Sequence, residues 1–319
     1  MTDIEFSPSS AEAATALQRR RSAALATARS ESEGGGRGGS AERRGALLVL
    51  GAALLWSTGG IGIKAVAEGP LKVAFYRSAF AALALLLFFR PKVPRFTPGF
   101  LVALVSYACC LTSFVVATKW TTAANAIFLQ YSGVVWVLLL SPAVLKEPFR
   151  ARDAAAVAVA LAGIGLFFAG RFGPGSPGDL VALASGAFFA ALVLSLRKER
   201  DAGAVAAVTY GNVLTAATLL PFVGADLSVS GRSAAILLGL GIFQLAGAYA
   251  LFVKGIRHVA ATQAAILGMV EPVANPIWVF LFMGERPAPL SLFGGAIVLG
   301  AIAWRTLSTP AALPVVPPD

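Results

Sequence analysis

A duplicated stretch constrains this fold more than any other feature of the sequence. Without gaps, residues 120–129 align with residues 258–267, and the same shift of 138 positions pairs Glu147 with Glu285. Each copy lies within a series of five apolar segments. Because five is an odd number, the second series must cross in the opposite direction to the first. The duplication therefore predicts two inverted five-helix repeats.

The composition is that of a membrane protein. The chain has a mean hydropathy of +0.76, with 57% hydrophobic and only 13% charged residues, whereas a soluble domain carries about 25% charged residues. Ten apolar segments are close to the length of a membrane span. They lie near 46–63, 73–89, 99–117, 123–142, 154–170, 179–196, 204–222, 233–253, 260–282 and 290–304. The predicted fold is all-α and polytopic, with ten transmembrane helices in a 5+5 arrangement.

The predicted domains follow from these segments. They are a disordered cytoplasmic tail at 1–45, a first repeat at 46–170, a second repeat at 178–305 and a Pro-rich tail at 306–319. With the N-terminus inside, 19 Lys and Arg residues lie on the inner side and six on the outer side. This asymmetry predicts a multi-pass protein of the cell (inner) membrane with both termini cytoplasmic. A monomer is expected, since one chain contains both repeats.

The net charge of +10 does not indicate a nucleic-acid partner. In a soluble protein such a charge, with a pI near 10.1, would suggest one. Here the charges are spread over short loops between apolar segments. Membrane orientation explains them better, so the expected surroundings are lipid and the expected ligand is a small molecule.

The ninth segment contains a carboxylate and two prolines. Residues 264–282 are apolar except for a few positions that include Glu271, Pro272 and Pro276. A carboxylate in mid-span costs about 2.5–3.5 kcal/mol on insertion scales, so it should face protein or water. The prolines leave carbonyls such as that of Gly268 without a helical donor. We predict that this span lines a cavity, where Glu271 binds a substrate amine, takes up a proton or accepts hydrogen bonds from a neighbouring helix.

Other polar and aromatic residues inside the segments are candidates for substrate contact. They are Trp56, Asn125, Gln130, Tyr131 and Gln263, with Tyr107, Trp136, Tyr210 and Tyr249 as further aromatic candidates. Hydrogen bonds between helices, or aromatic packing, explain each of them equally simply. Arg77, near the start of the second segment, is expected to reach the outer interface with its long side chain. The alternative is that it binds a carboxylate of the substrate.

The sequence contains no recognisable catalytic or metal-binding motif. His258 is the only histidine, and the two cysteines, Cys109 and Cys110, are adjacent in an apolar run. Neither pattern is typical of a metal site or a disulfide framework. The sequence contains no P-loop, HExxH or GxSxG pattern. We therefore predict no catalytic residues, no metal, no cofactor and no enzymatic activity.

Several short motifs together resemble a known family. They are LLWS at 54–57, YRSAFAA at 76–82, NAIFLQYS at 125–132, LKEP at 145–148, EPV at 271–273 and GERP at 284–287. This combination, over about residues 46 to 305, resembles the EamA family of the drug/metabolite transporter superfamily. Relatives often carry proline where this chain has Val134, the repeat partner of Pro272. The fourth span is therefore expected to be straighter than the ninth.

The resemblance implies a function. Members of the superfamily move amino acids, metabolites and drugs, often outward. The expectation is a secondary active transporter, and more specifically an exporter, of small organic metabolites such as amino acids or amphipathic drugs, working by alternating access with proton coupling left open. Two alternatives remain: a lipid-linked metabolite carrier or flippase on the same fold, and a membrane receptor or scaffold that transports nothing.

Overall fold

The computed structural model describes residues 40–92, 96–121, 123–167, 176–283 and 289–308. The description below concerns the compact unit Arg44–Thr309. The predicted tails lie largely outside the described residues, and the first helix begins at residue 40, before the predicted start of the first span.

All regular structure in the described residues is helical. The helices are α1 (40–56), α2 (Gly59–Ala65), α3 (Pro70–Phe89), α4 (Pro98–Trp120), α5 (Ala123–Gln130), α6 (Ser132–Leu145), α7 (Ala151–Phe167), α8 (Pro177–Val223), α9 (Gly231–Gly239), a π-helical segment (Leu240–Gly247), α10 (Ala248–Ile256), α11 (Ala261–Gly268), α12 (Val270–Met283) and α13 (Pro289–Leu307). Helices thus occupy all ten predicted segments. Seven helices of the described ranges are long and apolar enough to cross a membrane.

Helix α8 forms two of these spans. Its 47 residues would extend about 70 Å if straight. However, Ser185 donates to the carbonyl of Cys110 at 3.2 Å, and Asn212 donates to the hydroxyl of Tyr107 at 2.6 Å. Because Tyr107 and Cys110 lie within one turn of α4, the two arms of α8 must fold back beside each other. The predicted sixth and seventh spans are these two arms.

The outer surface of the bundle is apolar. Large hydrophobic side chains such as Leu87, Phe88, Leu139, Phe222 and Phe243 are mostly exposed. Soluble monomers rarely expose apolar patches of more than a few hundred square ångströms. With the long apolar helices, this exposure identifies a surface that contacts lipid. The interior is packed around α4 and α8, where Tyr107 and Leu196 are fully buried.

Helices in both repeats break at the same repeat position. Tyr131 separates α5 from α6 with φ −67° and ψ −8°, and Met269 separates α11 from α12 with φ −65° and ψ −3°. These residues are 138 positions apart, which is the shift of the duplication. The expectation that the fourth span is straighter is therefore wrong. A proline at position 134 is not needed for the break.

Close packing of two glycines accompanies the break at Tyr131. A Cβ added at Gly133 would lie 2.4 Å from the carbonyl oxygen of Gly186 in α8, and one added at Gly186 would lie 2.7 Å from the carbonyl oxygen of Gln130. Real Cβ atoms essentially never approach backbone this closely. The missing side chains let the backbone of α8 lie directly against the irregular turn.

We expect Gly133→Ala to destabilise the protein, because the added methyl group must push α6 away from α8. Overpacking of this kind costs about 1–3 kcal/mol. Thermal denaturation in detergent measures the loss. The matched control is Gly300→Ala in α13, where an added Cβ has no atom within 4 Å. Equal melting temperatures for the two variants would contradict the role of this contact.

Polar contacts join the two repeats at one end of the bundle. Arg197 donates to Glu147 at 2.9 Å and to the carbonyls of Ile256 and Arg257, each at 3.0 Å. The other oxygen of Glu147 accepts from the backbone N–H of Ala261 at 3.0 Å. The start of α11 is therefore held against the end of α6 and the bend of α8.

Lysines at the opposite end bind backbone carbonyls within the first repeat. Lys64 donates to the carbonyl of Thr121 at 3.2 Å, and Lys119 donates to the carbonyl of Val66 at 2.6 Å. A shift of 133 positions makes Lys64 the repeat partner of Arg197. Each end thus has a basic side chain bound to backbone carbonyls.

A buried ion pair joins α7 and α13. Asp153, at the start of α7, pairs with Arg305 near the end of α13. Both side chains are almost fully buried, at 6% and 2% exposure. Arg152 adds a bond from its guanidinium to the carbonyl of Ser308 at 2.6 Å. These contacts fasten the last helix of the second repeat to the last helix of the first.

Candidate functional site

A small cavity of about 50 Å³ lies between the repeats. Four of its lining residues are polar side chains: Arg77, Gln130, Gln244 and Glu271. The remainder of the lining is apolar or aromatic and consists of Trp56, Cys110, Leu111, Phe114, Phe189, Leu245 and Tyr249. Few polar groups among apolar walls are typical of small-molecule sites. The volume holds only a few water molecules, at about 10–15 Å³ each.

Interruptions of the helices meet at this cavity. Trp56 is the last residue of α1 before a two-residue break, Gln130 precedes the break at Tyr131, and Glu271 follows the break at Met269. Gln244 lies in the π-helical segment. Irregular backbone at membrane depth is tolerated where protein buries it or where it lines a cavity. The cavity is therefore built from the parts of the spans that are not regular α-helix.

Hydroxyl groups stabilise the break after Trp56. Ser57 donates its hydroxyl to the carbonyl of Leu54 at 2.6 Å, and Thr58 donates to the carbonyl of Leu55 at 2.8 Å. These carbonyls lose their usual helical donors where the helix is interrupted. Trp278 of α12 also donates its indole N–H to the Ser57 hydroxyl at 2.7 Å. The LLWS motif thus forms a broken helix that α12 supports.

Glu271 lies against the opposite repeat. The hydroxyl of Tyr131 is 3.0 Å from the carboxylate of Glu271 and 2.8 Å from the carbonyl of Gly268. This contact confirms the prediction that the carbonyl of Gly268 needs another donor, because Pro272 has no N–H. Tyr131 has one hydroxyl proton for two acceptors. Both contacts become hydrogen bonds when Glu271 is protonated and donates to the Tyr131 oxygen.

Arg77 is buried rather than exposed at the interface. Its side chain is 2% exposed and donates from Nη2 to the amide oxygen of Gln244 at 2.6 Å. Gln244 in turn donates to the carbonyl of Trp56 at 3.3 Å. The prediction that Arg77 extends to the outer interface is therefore wrong, because the amide of Gln244 holds the guanidinium at the cavity. Gln244 was not predicted as a site residue, although its amide lies inside the eighth apolar segment.

Comparison with known proteins adds to this geometry. A model of the EamA-like transporter family matches residues 43–169 and again residues 176–307. The chain belongs to the EamA-like transporter family. The two matches also confirm the repeat architecture of this EamA protein, and the all-helical structure fits its place in the drug/metabolite transporter superfamily.

Relatives of this EamA protein carry transporter names. An uncharacterized transporter of Archaeoglobus fulgidus is 28% identical over 82% of this chain and 97% of its own length. The uncharacterized transporter YwfM of Bacillus subtilis is 30% identical over 80% of this chain and 90% of its own length. The pseudopaline exporter CntI of Pseudomonas aeruginosa is 26% identical over 72% of this chain and 84% of its own length. A crystal structure with 18% identity shares the fold, with a TM-score of 0.70 over 82% of this chain and 96% of that one.

Four of the six predicted site residues lie at or next to the cavity of this EamA protein. The residues that line it are Trp56, Gln130 and Glu271. The hydroxyl of Tyr131 contacts the carboxylate of Glu271. Gln130 donates to the hydroxyl of Ser185 at 2.9 Å. It therefore also joins α5 to α8, as the alternative of hydrogen bonds between helices predicted.

The other two predicted residues lie away from the lining. Asn125 donates to Asp179 of α8 at 3.0 Å and to Thr121 at 3.2 Å, near the end of the bundle. Gln263 is buried in α11 and does not line the cavity. For Asn125, the contacts are those of a residue that joins helices. A substrate contact for either residue stays a prediction.

The aromatic candidates separate into two groups. Trp56 and Tyr107 pack edge-on against Tyr249, with ring centroids 5.0 Å and 4.8 Å apart. Trp136 instead lies on the outer surface at 48% exposure, and Tyr210 donates to the carbonyl of Pro91 near one end. Of these aromatic residues, Trp56 and Tyr249 line the cavity, and Tyr107 packs behind Tyr249. Among the described residues, no cluster of His, Cys, Asp or Glu could hold a metal ion.

Proposed function

We propose that this protein is a secondary active transporter, working as an exporter of small organic metabolites by alternating access. The observation that carries the proposal is the cavity between the repeats, which is lined by broken helices and by two charged side chains, Arg77 and Glu271. Transporters built from inverted repeats bind their substrates at the repeat interface near the bilayer midplane, often on interrupted helices. A buried site of this kind suits a solute that crosses the membrane through the protein.

The cavity is too small for a metabolite in the conformation described here. At about 50 Å³ it requires the surrounding helices to move before a solute fits. The breaks at Tyr131 and Met269 provide matching hinge positions in the two repeats. Opening one end requires Arg197 to release Glu147. Opening the other requires Thr121 and Asn125 to release Asp179 of the second repeat. Alternating access follows if the contacts at only one end of the bundle are broken at a time.

Glu271 is the group that we propose for proton coupling. Its contact with Tyr131 gains a second hydrogen bond when the carboxyl group is protonated, and loses it when the proton leaves. Ionisable residues within spans commonly mark proton or substrate pathways. A proton that enters on Glu271 and a solute that leaves would exchange through one cavity, which amounts to proton-driven export.

Localisation and direction belong to the same proposal. The distribution of Lys and Arg supports a multi-pass protein of the cell (inner) membrane with cytoplasmic termini. The name of the relative CntI, a pseudopaline exporter, supports outward movement. We further propose that one chain is the working unit, since it supplies both halves of the cavity.

Efflux from proteoliposomes tests the proposal. The purified protein is reconstituted into liposomes loaded with labelled amino acids and amphipathic cations, and efflux is followed with and without an acidic exterior. We expect at least one solute to leave faster than from empty liposomes, and faster still with the exterior acidic. If no solute leaves faster than from empty liposomes, the proposal is contradicted, and the lipid-carrier and receptor hypotheses are favoured.

A matched pair of variants tests whether the cavity is the route. Leu111→Trp fills the cavity, because Leu111 lines it and is 8% exposed. Leu139→Trp makes the same change on the outer surface, where Leu139 is 55% exposed. We expect efflux to fall by about tenfold or more in the first variant only. Undiminished efflux with Leu111→Trp would place the route elsewhere.

A further inference from the structure

Among the residues that the structure describes, Arg77 is a buried cation without a counter-ion. Its guanidinium makes one hydrogen bond, to Gln244, and its Nε has no partner. Among the described residues no carboxylate forms an ion pair with it, including Glu271 of the same cavity. Taking an ion out of water costs several kcal/mol unless an opposite charge and hydrogen bonds compensate. The protein itself supplies only a small part of that compensation.

The scaffold does not require this charge. A shift of 134 positions, which also pairs Tyr76 with Tyr210, makes Gly211 the repeat partner of Arg77. Gly211 packs directly on Tyr107, where an added Cβ would lie 2.6 Å from the ring. The second repeat therefore builds the equivalent helix with no side chain at this position. The guanidinium is a feature of the cavity and not of the five-helix fold.

The neighbouring backbone is shaped to keep Arg77 at the cavity. Gln244 lies in the π-helical segment, a form of helix that is frequent at functional sites. An added Cβ at Gly59 would lie 2.6 Å from the amide nitrogen of Gln244, and one at Gly241 would lie 2.9 Å from the carbonyl of Arg77. Small residues at both positions allow the three helices to approach closely. The amide is thereby fixed beside the guanidinium, whose Nε keeps a free N–H.

We propose that Arg77 binds the carboxylate of the transported solute, so that the cargo is a carboxylate-bearing metabolite and not an amphipathic cation. This inference rests on the proposed function of the same cavity. A guanidinium presents parallel N–H groups that match the two oxygens of a carboxylate, and such charge-assisted bonds are among the strongest in proteins. A solute carboxylate supplies the missing counter-charge when it enters. Gln244 is a positioning residue that acts through Arg77.

Matched solutes test the inference without any substitution. Proteoliposomes are loaded with leucine, phenylalanine and lysine together with their amino alcohols, leucinol, phenylalaninol and lysinol. Each alcohol keeps the amine and the side chain but replaces the carboxylate by a hydroxymethyl group. After subtraction of efflux from empty liposomes, we expect the amino acids that are moved to leave at least about tenfold faster than their alcohols.

Variants of Arg77 then separate binding from structure. Arg77→Gln is expected to lower amino-acid efflux by about 10- to 100-fold, the worth of a charge-assisted hydrogen bond, while any protein-dependent efflux of the alcohols changes by less than about twofold. Arg77→Lys should retain part of the preference, because it keeps the charge but loses the parallel N–H groups. Arg232→Gln, at an exposed arginine, is the control and should behave as wild type.

The outcomes distinguish this inference from the proposed function. If wild type moves the alcohols as fast as the amino acids, or moves only solutes without a carboxylate, the protein is a transporter but Arg77 does not select the cargo. Equal losses for acids and alcohols in Arg77→Gln would show a merely structural residue. If Arg77→Gln does not fold, the ratio of amino-acid to amino-alcohol efflux in the wild type still tests the inference. Efflux of no solute at all overturns both proposals.

Discussion

Glu271→Gln is expected to abolish the response of transport to a pH gradient. The glutamine keeps the size and most hydrogen bonds of a protonated carboxyl group, but it cannot release a proton. Net efflux driven by an acidic exterior should therefore fall at least about tenfold. Exchange of labelled for unlabelled solute at equal pH does not require proton movement, so it should remain within about threefold of wild type. Both rates are measured in the same proteoliposome preparation.

Two further variants sharpen this test. Glu199→Gln makes the same change at a carboxylate that binds Thr97 near one end of the bundle, and it should leave the pH response intact. Tyr131→Phe removes the hydroxyl between Glu271 and Gly268, so we expect a weakened but present response. A glutamine variant whose efflux still follows the pH gradient would show that Glu271 does not carry the proton. Loss of exchange as well would place Glu271 in solute binding.

Asp153→Asn is expected to cause the largest loss of stability. The substitution removes the carboxylate of Asp153 from beside the guanidinium of Arg305, whose side chain is 2% exposed. Removing one member of a buried ion pair costs about 3–5 kcal/mol, which corresponds to a fall in melting temperature of roughly 10 °C for a protein of this size. Thermal denaturation in detergent measures it.

An exposed ion pair provides the control. Lys72 and Asp226 are 2.8 Å apart, but the Asp226 side chain is 68% exposed. Asp226→Asn should therefore change the melting temperature little, since exposed pairs contribute little. The double variant Asp153→Leu with Arg305→Met should recover much of the lost stability, because it removes both charges together. Equal melting temperatures for Asp153→Asn and Asp226→Asn would contradict the importance of the buried pair.

The spans and the duplication were predictable because they depend on simple quantities. Apolar runs of about 20 residues mark the ten segments whatever their packing, and the shift of 138 positions is visible by alignment. The free carbonyl of Gly268 was also predictable, since Pro272 cannot donate. Its actual donor, Tyr131, was not predictable from the local sequence because it lies on the other repeat.

Features that depend on contacts between distant segments were predicted less well. The break at Tyr131 accompanies the close approach of Gly186, more than 50 residues away, and no local signal indicated it. The burial of Arg77 depends on Gln244, which is 167 positions later. For amides such as Asn125 and Gln130, the sequence does not distinguish a bond between helices from a contact with solute, because both use the same donors and acceptors.

The two charges of the cavity explain an advantage of joining both repeats in one polypeptide. Arg77 lies in the first repeat and Glu271 in the second, and their repeat partners are Gly211 and Gly133. A symmetric dimer of identical first halves would bring two guanidinium groups together, and a dimer of second halves would bring two carboxylates together. Like charges so close would repel. Fusion lets one half supply the guanidinium and the other the ionisable carboxyl group, so that a symmetric frame encloses a pocket with two chemically different sides.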